Sequence, residues 1–369
     1  MKICAITASL SRENGWGRYS SEIIGELAKY NDVKIITSRS SDITEYKGCE
    51  VISILPDPLS IRLSDYISTI SKLKHEIAGC EIAHCFTEPY SPLTAISSIL
   101  SGRPYVLHAV GTYAAKFIKS GVYGKIFRYA YAKAGKIICI SNFTCQSVLK
   151  EMRLENTIVI PLGVDYRHFE RCRPERMPES DSKILLSVGA IKPRKGYDVS
   201  IQAFAMAKKE IDNMKYIIAG DVHDDKYFTL LKRIISENKL GTSVEFLGKV
   251  SESKLIELFY GCDAFILTPV QIGDSFEGFG LVYLEANACG KPVIASASGG
   301  VPDAVIHNQT GILVPERDVQ ATANAIIELM SDEKLLKRLG DKGKEWAKKM
   351  SWENTARKIM GVYEEVLGK

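Results

Sequence analysis

The feature that most constrains this chain is a rhythm. Short runs rich in β-branched and apolar residues alternate with longer stretches whose apolar positions recur every three to four residues. Strand-length runs fall at 2–8, 33–37, 82–86, 105–109, 136–140 and 157–160, with helical stretches between most of them. The rhythm resumes after a polar, proline-containing stretch at 170–181 (ERCRPERMPESD), which reads as an interdomain linker. Further strand-length runs follow at 183–188, 215–220, 244–248, 263–268 and 292–296. Strands separated by helix-length segments pair in parallel through crossovers. A chain of 369 residues is too long for one small core and suits two. The spacing therefore predicts an α/β fold of two Rossmann-like, doubly wound domains.

The halves echo each other. Residues 96–108 (ISSILSGRPYVLH) resemble residues 284–296 (LEANACGKPVIAS): in each, a helix ends at Gly, Pro blocks its continuation, and a strand begins. In doubly wound sheets ligands bind beyond the carboxyl ends of the strands. Two such domains are expected to face each other across a deep cleft, so the strand ends are the places to search for chemistry.

Several classes of protein fall away. No apolar run reaches the roughly 18–20 residues of a membrane-spanning helix. The first residues, MKICAITA, read as a strand and not as a signal peptide. The nine cysteines are odd in number and form no C-x-x-C, so neither a disulfide framework nor a metal site is expected, and a reducing cytoplasm fits best. Residues 1–170 hold 20 Lys/Arg against 16 Asp/Glu, and residues 171–369 hold 28 of each. The whole excess of +4 lies in the N-terminal half, which implies one basic surface and not general nucleic-acid binding.

Four strand ends carry the candidate chemistry. After the first strand, Gly15, Gly17 and Ser20 make an incomplete G-x-G-x-x-G in a loop before an amphipathic helix with Ile23, Ile24, Leu27 and Ala28. It is either a turn or a backbone nest for a phosphate or sugar. The strand at 105–109 ends in His108, followed by Gly111-Thr112; a lone histidine is commonly structural, but this position favours a functional one. After 183–188 come Lys192, Arg194 and Lys195, three cations within four positions just before a helix start. That is either a solvated basic turn or a diphosphate site. After 263–268 comes Glu277-Gly278-Phe279-Gly280-Leu281, opening a short apolar helix that carries Glu285. The helix start suits an anion, so the two carboxylates must address something else, and hydroxyl groups are what carboxylates accept from strongly.

The spacing of Glu277 and Glu285, with Gly-Phe-Gly between and A-x-A-x-G-x-P-V behind, resembles the family 4 retaining glycosyltransferases of the GT-B fold. Supporting matches are Gly189 with Lys195-Gly196, IIAG at 217–220, VEFLG at 244–248, GGVPD at 299–303, TGILV at 310–314 and PLGVD at 161–165. The resemblance implies transfer of a sugar from a nucleotide-sugar donor to an acceptor hydroxyl, with retention at the anomeric carbon. It implies an acceptor-binding domain over 1–170 plus 352–369, because the last helix crosses back, and a donor-binding domain over 182–351. By the same resemblance Glu277 meets the donor-sugar hydroxyls and Glu285 the ribose diol. The backbone of Gly278, Phe279, Gly280 and Leu281 approaches sugar and phosphate, and Lys195 neutralises the diphosphate. His108 lines the sugar site, Gly15 and Gly17 close over the donor, and Lys249-Val250 lies near the base. Two departures stand out: Ala190 replaces an expected Arg, leaving Arg194 or Lys192 as the second phosphate cation, and Leu162 replaces an expected Asn.

No D-x-D occurs and no metal or other cofactor is expected. The chemistry leans on same-face attack, with the departing phosphate deprotonating the acceptor; a covalent intermediate on Glu277 is the alternative. The donor sugar leans towards a hexose such as mannose or glucose, in synthesis of a cell-surface glycan, polysaccharide or glycolipid. Residues 101–140 hold seven Lys/Arg, no acid and many aromatics, so residues 113–136 are either an ordinary amphipathic helix or a dock for anionic lipid beside a lipid-linked or glycan acceptor. Peripheral membrane attachment on the cytoplasmic side is the expectation, and no nucleic-acid partner. Competing readings are a nucleotide-sugar epimerase or sugar phosphorylase on the same fold, and a non-catalytic nucleotide-sugar sensor.

Overall fold

The computed structural model describes the chain except for residues 12–14, 42, 44, 62, 120 and 176–180. The chain divides into two compact units, Met1–Leu162 with Trp352–Lys369, and Gly163–Ser351.

In the first unit the strands are β1 (Lys2–Ile6), β2 (Asp32–Ser38), β3 (Glu45–Tyr46), β4 (Cys49–Leu55), β5 (Ile82–Cys85), β6 (Tyr105–Ala109), β7 (Lys136–Cys139) and β8 (Thr157–Val159). They form one sheet in the order β3-β4-β2-β1-β5-β6-β7-β8, parallel except for the β3–β4 pair. Its central strands β5 and β6 are buried at every position, as strands covered by helices on both faces must be. The second unit has β9 (Lys183–Val188), β10 (Met214–Ala219), β11 (Val244–Gly248), β12 (Ala264–Leu267), β13 (Val293–Ser296) and β14 (Gly311–Val314). Their order, β11-β10-β9-β12-β13-β14, is fully parallel and is the doubly wound pattern 3-2-1-4-5-6. The strand order reverses between β1 and β5 in the first unit and between β9 and β12 in the second. Those two switch points are where such sheets open a crevice at their carboxyl ends.

Sequence reading missed β3, β4 and β14. β4 alternates buried and half-buried positions near the sheet edge and lacks the continuous apolar run of a central strand. β3 and β14 are only two and four residues long. The boundary also moves. Residues 163–170, assigned by sequence to the first domain, belong to the second unit, where Tyr166–Arg171 is a helix. Asp165 caps that helix, accepting from the His168 amide at 3.0 Å, and Tyr166 and Phe169 are buried. The expected linker at 170–181 is thus partly helical, and residues 176–180 of it lie outside the described residues.

The last helix, Trp352–Leu367, groups with the first unit. Its Thr355 hydroxyl donates to the Pro161 carbonyl at 3.0 Å, and Ile359 and Tyr363 enter the core. The Tyr363 hydroxyl pairs with His84 Nδ1, and His84 Nε2 pairs with His108 Nδ1 at 2.8 Å. Burial depresses both imidazoles, that of His108 to about 3, so both are neutral in the folded chain.

The unfolded chain protonates both histidines below about 6.5, whereas the folded chain does not. Their contribution is complete above that pH and is lost as pH falls towards 3. Glu88, raised by burial to about 7, works in the opposite direction between about 7 and 4.5. Two histidines outweigh one carboxyl, so urea unfolding should show stability falling by roughly 1 kcal/mol per pH unit between 6.5 and 5. A flat profile there would contradict neutral burial of the pair.

Candidate active site

The second unit brings three of the sequence candidates into direct contact at its switch point. After β9, residues 193–195 form a single 3-10 turn ending at Gly196, whose φ is +67°. A Cβ there would lie 1.8 Å from the Thr268 carbonyl oxygen, so only glycine allows this turn to lie against the end of β12. Thr268 Oγ1 donates to the Gly196 carbonyl at 2.8 Å, and the Val270 amide donates to the Arg194 carbonyl at 2.9 Å. The two loops flanking the switch are therefore fastened backbone to backbone.

That fastening aims both cations at one carboxylate. Lys195 Nζ lies 2.7 Å and Arg194 Nη1 2.8 Å from Glu277 Oε2. Glu277 is only 9% exposed. Burial pushes its pKa up, but Lys195 and Arg194 pull harder and hold the carboxyl at about 2. Its backbone is held as well: the Gly300 amide donates to the Glu277 carbonyl at 2.8 Å, and a Cβ on Gly299 would meet that oxygen at 2.4 Å. Lys192 stands beside the pair, its pKa lowered by burial and by repulsion from Arg194 and Lys195. Arg194, named from sequence as one of two substitutes for the missing Arg, is the cation joined to Lys195.

Gly278, Phe279 and Gly280 lead from Glu277 into the helix Leu281–Ala288. Gly280, at the N-cap with φ +92°, offers no side-chain cap, the Tyr283 amide donates to its carbonyl at 3.1 Å, and a helix start without a side-chain cap favours an anion. Phe279 is buried, and the Tyr283 hydroxyl donates to the Leu267 carbonyl at 3.1 Å, tying the helix to β12. Glu285, one turn in, is 3% exposed. Sequence reading missed Glu316, which follows β14. Its carboxylate accepts from the Gln271 amide at 2.8 Å and the Ser298 hydroxyl at 2.7 Å, joining the loops on both sides of Glu277. No motif marks it, because its partners are a backbone amide and a serine far away in sequence. Lys249 and Val250 follow β11 at the edge of the sheet, three strands from β12; Lys249 is exposed and Val250 half-buried.

In the first unit the expected glycine loop is already helix: Gly15–Leu27 begins at Gly15. Residues 12–14 of that loop lie outside the described residues. A Cβ on Gly17 would meet the Ser11 carbonyl oxygen at 2.2 Å, and Ser20 Oγ pairs with Thr7 Oγ1 at 2.9 Å at the end of β1. So the incomplete G-x-G-x-x-G packs a helix start onto its strand. His108 lies in the packed interior of the first unit. It does not line a surface: it is 1% exposed, stacked on His84 and Phe86, with Tyr19 5.5 Å away. Its ring packs among these groups, with Nε2 buried and without a hydrogen-bond partner among the described residues. Across β1 and β5, sequence reading also missed Glu88, which bonds Trp16 and Val110.

Two doubly wound α/β units of this kind are the architecture of the GT-B class. The model of "Glycosyl transferases group 1" matches residues 169–346 and that of "Glycosyltransferase Family 4" residues 14–168. The chain is 31% identical to an uncharacterized glycosyltransferase of Methanocaldococcus jannaschii, over 90% of this chain and 89% of the relative. It is 25% identical to the GDP-mannose-dependent alpha-(1-6)-phosphatidylinositol monomannoside mannosyltransferase of Mycolicibacterium smegmatis, over 91% of each. Among solved structures, Anabaena HepE in complex with UDP superposes with a TM-score of 0.79 at 20% identity, over 98% of this chain and 99% of that one. The chain belongs to the family 4 glycosyltransferases of the GT-B fold.

Glu277→Gln should unfold more easily by about 2–4 kcal/mol, because two partly buried cations lose their counter-charge. Gly196→Ala should cost at least as much, since it adds a clash to a left-handed backbone. Urea unfolding measures both, and wild-type midpoints in either variant would mean the loops at the switch point relax freely.

Proposed function

We propose that the chain transfers a hexose from a nucleoside-diphosphate sugar to an acceptor hydroxyl with retention of anomeric configuration. The observation that carries this reading is the convergence of Arg194 and Lys195 on a single oxygen of Glu277 beside an uncapped helix start. Lys195 and Arg194, with the first-turn amides of 281–288, stabilise the charge that builds on the leaving diphosphate. Oε2 of Glu277 is held by both cations, so Oε1 is the atom left to orient a sugar hydroxyl. Glu285 takes the ribose diol. In this reading the second unit binds the donor and the first binds the acceptor.

A carboxylate whose charge is already spent on two cations is a poor nucleophile, which favours same-face attack over a covalent intermediate. The departing phosphate then takes the acceptor's proton. Divalent metal is not required, because the cations do the work a metal would do. The acceptor is a glycan or lipid-linked species in cell-surface glycan, polysaccharide or glycolipid synthesis. Mannose or glucose is the favoured sugar; the mycobacterial relative is named as GDP-mannose-dependent.

The acceptor side includes a basic face. Thr112–Lys119 and Gly121–Lys133 are helices. Tyr113, Phe117 and Phe127 stack along them, while Tyr123 (69% exposed), Ile126 and Tyr129 face outward among Lys116, Lys125 and Arg128. In this reading the exposed aromatics and cations of that face dock at the surface of an anionic bilayer; among the described residues no helix is long and apolar enough to cross a membrane.

Thermal-shift and calorimetric titration with UDP, GDP, ADP and TDP, each with and without EDTA, should find one nucleotide bound independently of metal. Glu285→Ala should weaken that nucleotide at least tenfold. With the matching sugar and acceptor, proton NMR of the product should show the donor's anomeric configuration; inversion, or no nucleotide bound, would defeat the reading. Cosedimentation with vesicles containing anionic lipid, lost when Lys116 and Lys125 become Glu, tests the docking face.

A further inference from the structure

The two units share more than a fold. The helix Ser91–Ser101 ends at Gly102 with φ +66°, and the helix Leu281–Ala288 is followed by Gly290 with φ +74°. Each follows the strand just past the switch point, β5 in one unit and β12 in the other. Glu88 stands fourteen positions before Gly102, and Glu277 thirteen before Gly290. Both carboxylates thus occupy the same place in their sheets, and both reach across the switch to groups that follow the first strand of the unit.

Their partners differ. Glu88 Oε2 accepts from the Trp16 indole N–H at 2.8 Å, and Oε1 from the Val110 amide at 2.9 Å. Glu88 is 1% exposed. Trp16 belongs to the first turn of the helix Gly15–Leu27, and its ring lies 5.3 Å from that of Tyr113. One carboxylate therefore joins the helix start after β1, the turn after β6 and the aromatic row on the basic helices.

We propose that Glu88 is the positioning residue of the first unit: by accepting from both Trp16 and Val110, its carboxylate sets the placement of the helix start at 15–17 and of the 110–111 turn for sugar transfer. The proposal rests on the transferase reading for its consequence in catalysis, and on the geometry alone for its effect on Trp16. The neighbouring ionisable groups are Tyr19 on the first helix, Tyr131 on the helix Gly121–Lys133, and Cys85 at the end of β5. Burial raises all three, so they are neutral, and no cation among them stabilises the charge. Burial raises Glu88 itself to about 7. The ionised form accepts from both donors at full strength. Protonation places a hydrogen on one oxygen, and one donor loses its acceptor.

Incorporation of 5-fluorotryptophan into the full chain tests this without substrate. Trp16→Phe assigns the Trp16 resonance among the three tryptophans. That resonance should titrate with a midpoint near 7 in the wild type and be pH-independent and displaced in Glu88→Gln, whose amide offers one acceptor where two are needed. A Trp16 resonance that does not titrate, or is unmoved in Glu88→Gln, overturns the proposal. If Glu88→Gln does not fold, the wild-type titration and Trp16→Phe decide it. With an active donor in hand, Glu88→Gln should lose roughly tenfold or more in kcat/KM and the acidic limb of its pH profile. Trp16→Phe should lose activity similarly. Unchanged kcat/KM in a folded Glu88→Gln overturns the catalytic part. If no donor turns over in the wild type, the transferase reading fails and the Trp16 titration still judges the positioning role.

Discussion

A parallel sheet needs cover on both faces, and that requirement organises everything else in this chain. Parallel strands are joined only by long crossovers, so helices pack on each side and the central strands become apolar at every position. β5, β6, β12 and β13 have no solvent-facing side on which to display chemistry. Polar function is confined to the loops at the strands' carboxyl ends, and it concentrates where the strand order reverses, because only there do adjacent loops diverge to opposite faces. Arg194, Lys195 and Glu277 meet at one such reversal, and Trp16 and Glu88 at the other.

Two carboxylates in equivalent positions then show how partners, not burial, set charge. Both are nearly inaccessible, and burial pushes both upward. Glu277 meets two cations and is held at about 2; Glu88 meets an indole and amides and stays near 7. Neutral donors stabilise a carboxylate, but less than a full positive charge at hydrogen-bond distance. The same backbone frame therefore yields a permanently ionised group in one unit and a titrating group in the other.

Most of the fold was legible in the sequence because the apolar runs of central strands are long and continuous. The edges were not: β4 is half-buried and β3 has two residues, so neither carries the pattern of a buried strand. Within the site, residues adjacent in sequence were readable, as with Glu277 through Leu281 and the 192–195 cations. Residues joined only by the fold were not, as with Glu88 and Glu316, whose partners lie at least 18 positions away. The surroundings of His108 were hidden as well, because its place at a strand end says where the backbone lies and nothing of what the ring packs against.

The Arg194–Glu277–Lys195 arrangement also bears on how such a site is ready before its substrate arrives. A cation pair without counter-charge would repel itself and disorder, and an anion, the diphosphate of the proposed function, would then have to order two long side chains as it bound. Glu277 removes that cost in advance. It does so without exhausting the cations, since a guanidinium has five N–H donors and an ammonium three, and each gives one to Oε2. Several donors remain for a phosphate to approach from the other side. Under the proposed function the carboxylate organises the anion site and does not compete for it, and its position beside a helix start lets fixed amide dipoles share the charge that develops as the bond breaks.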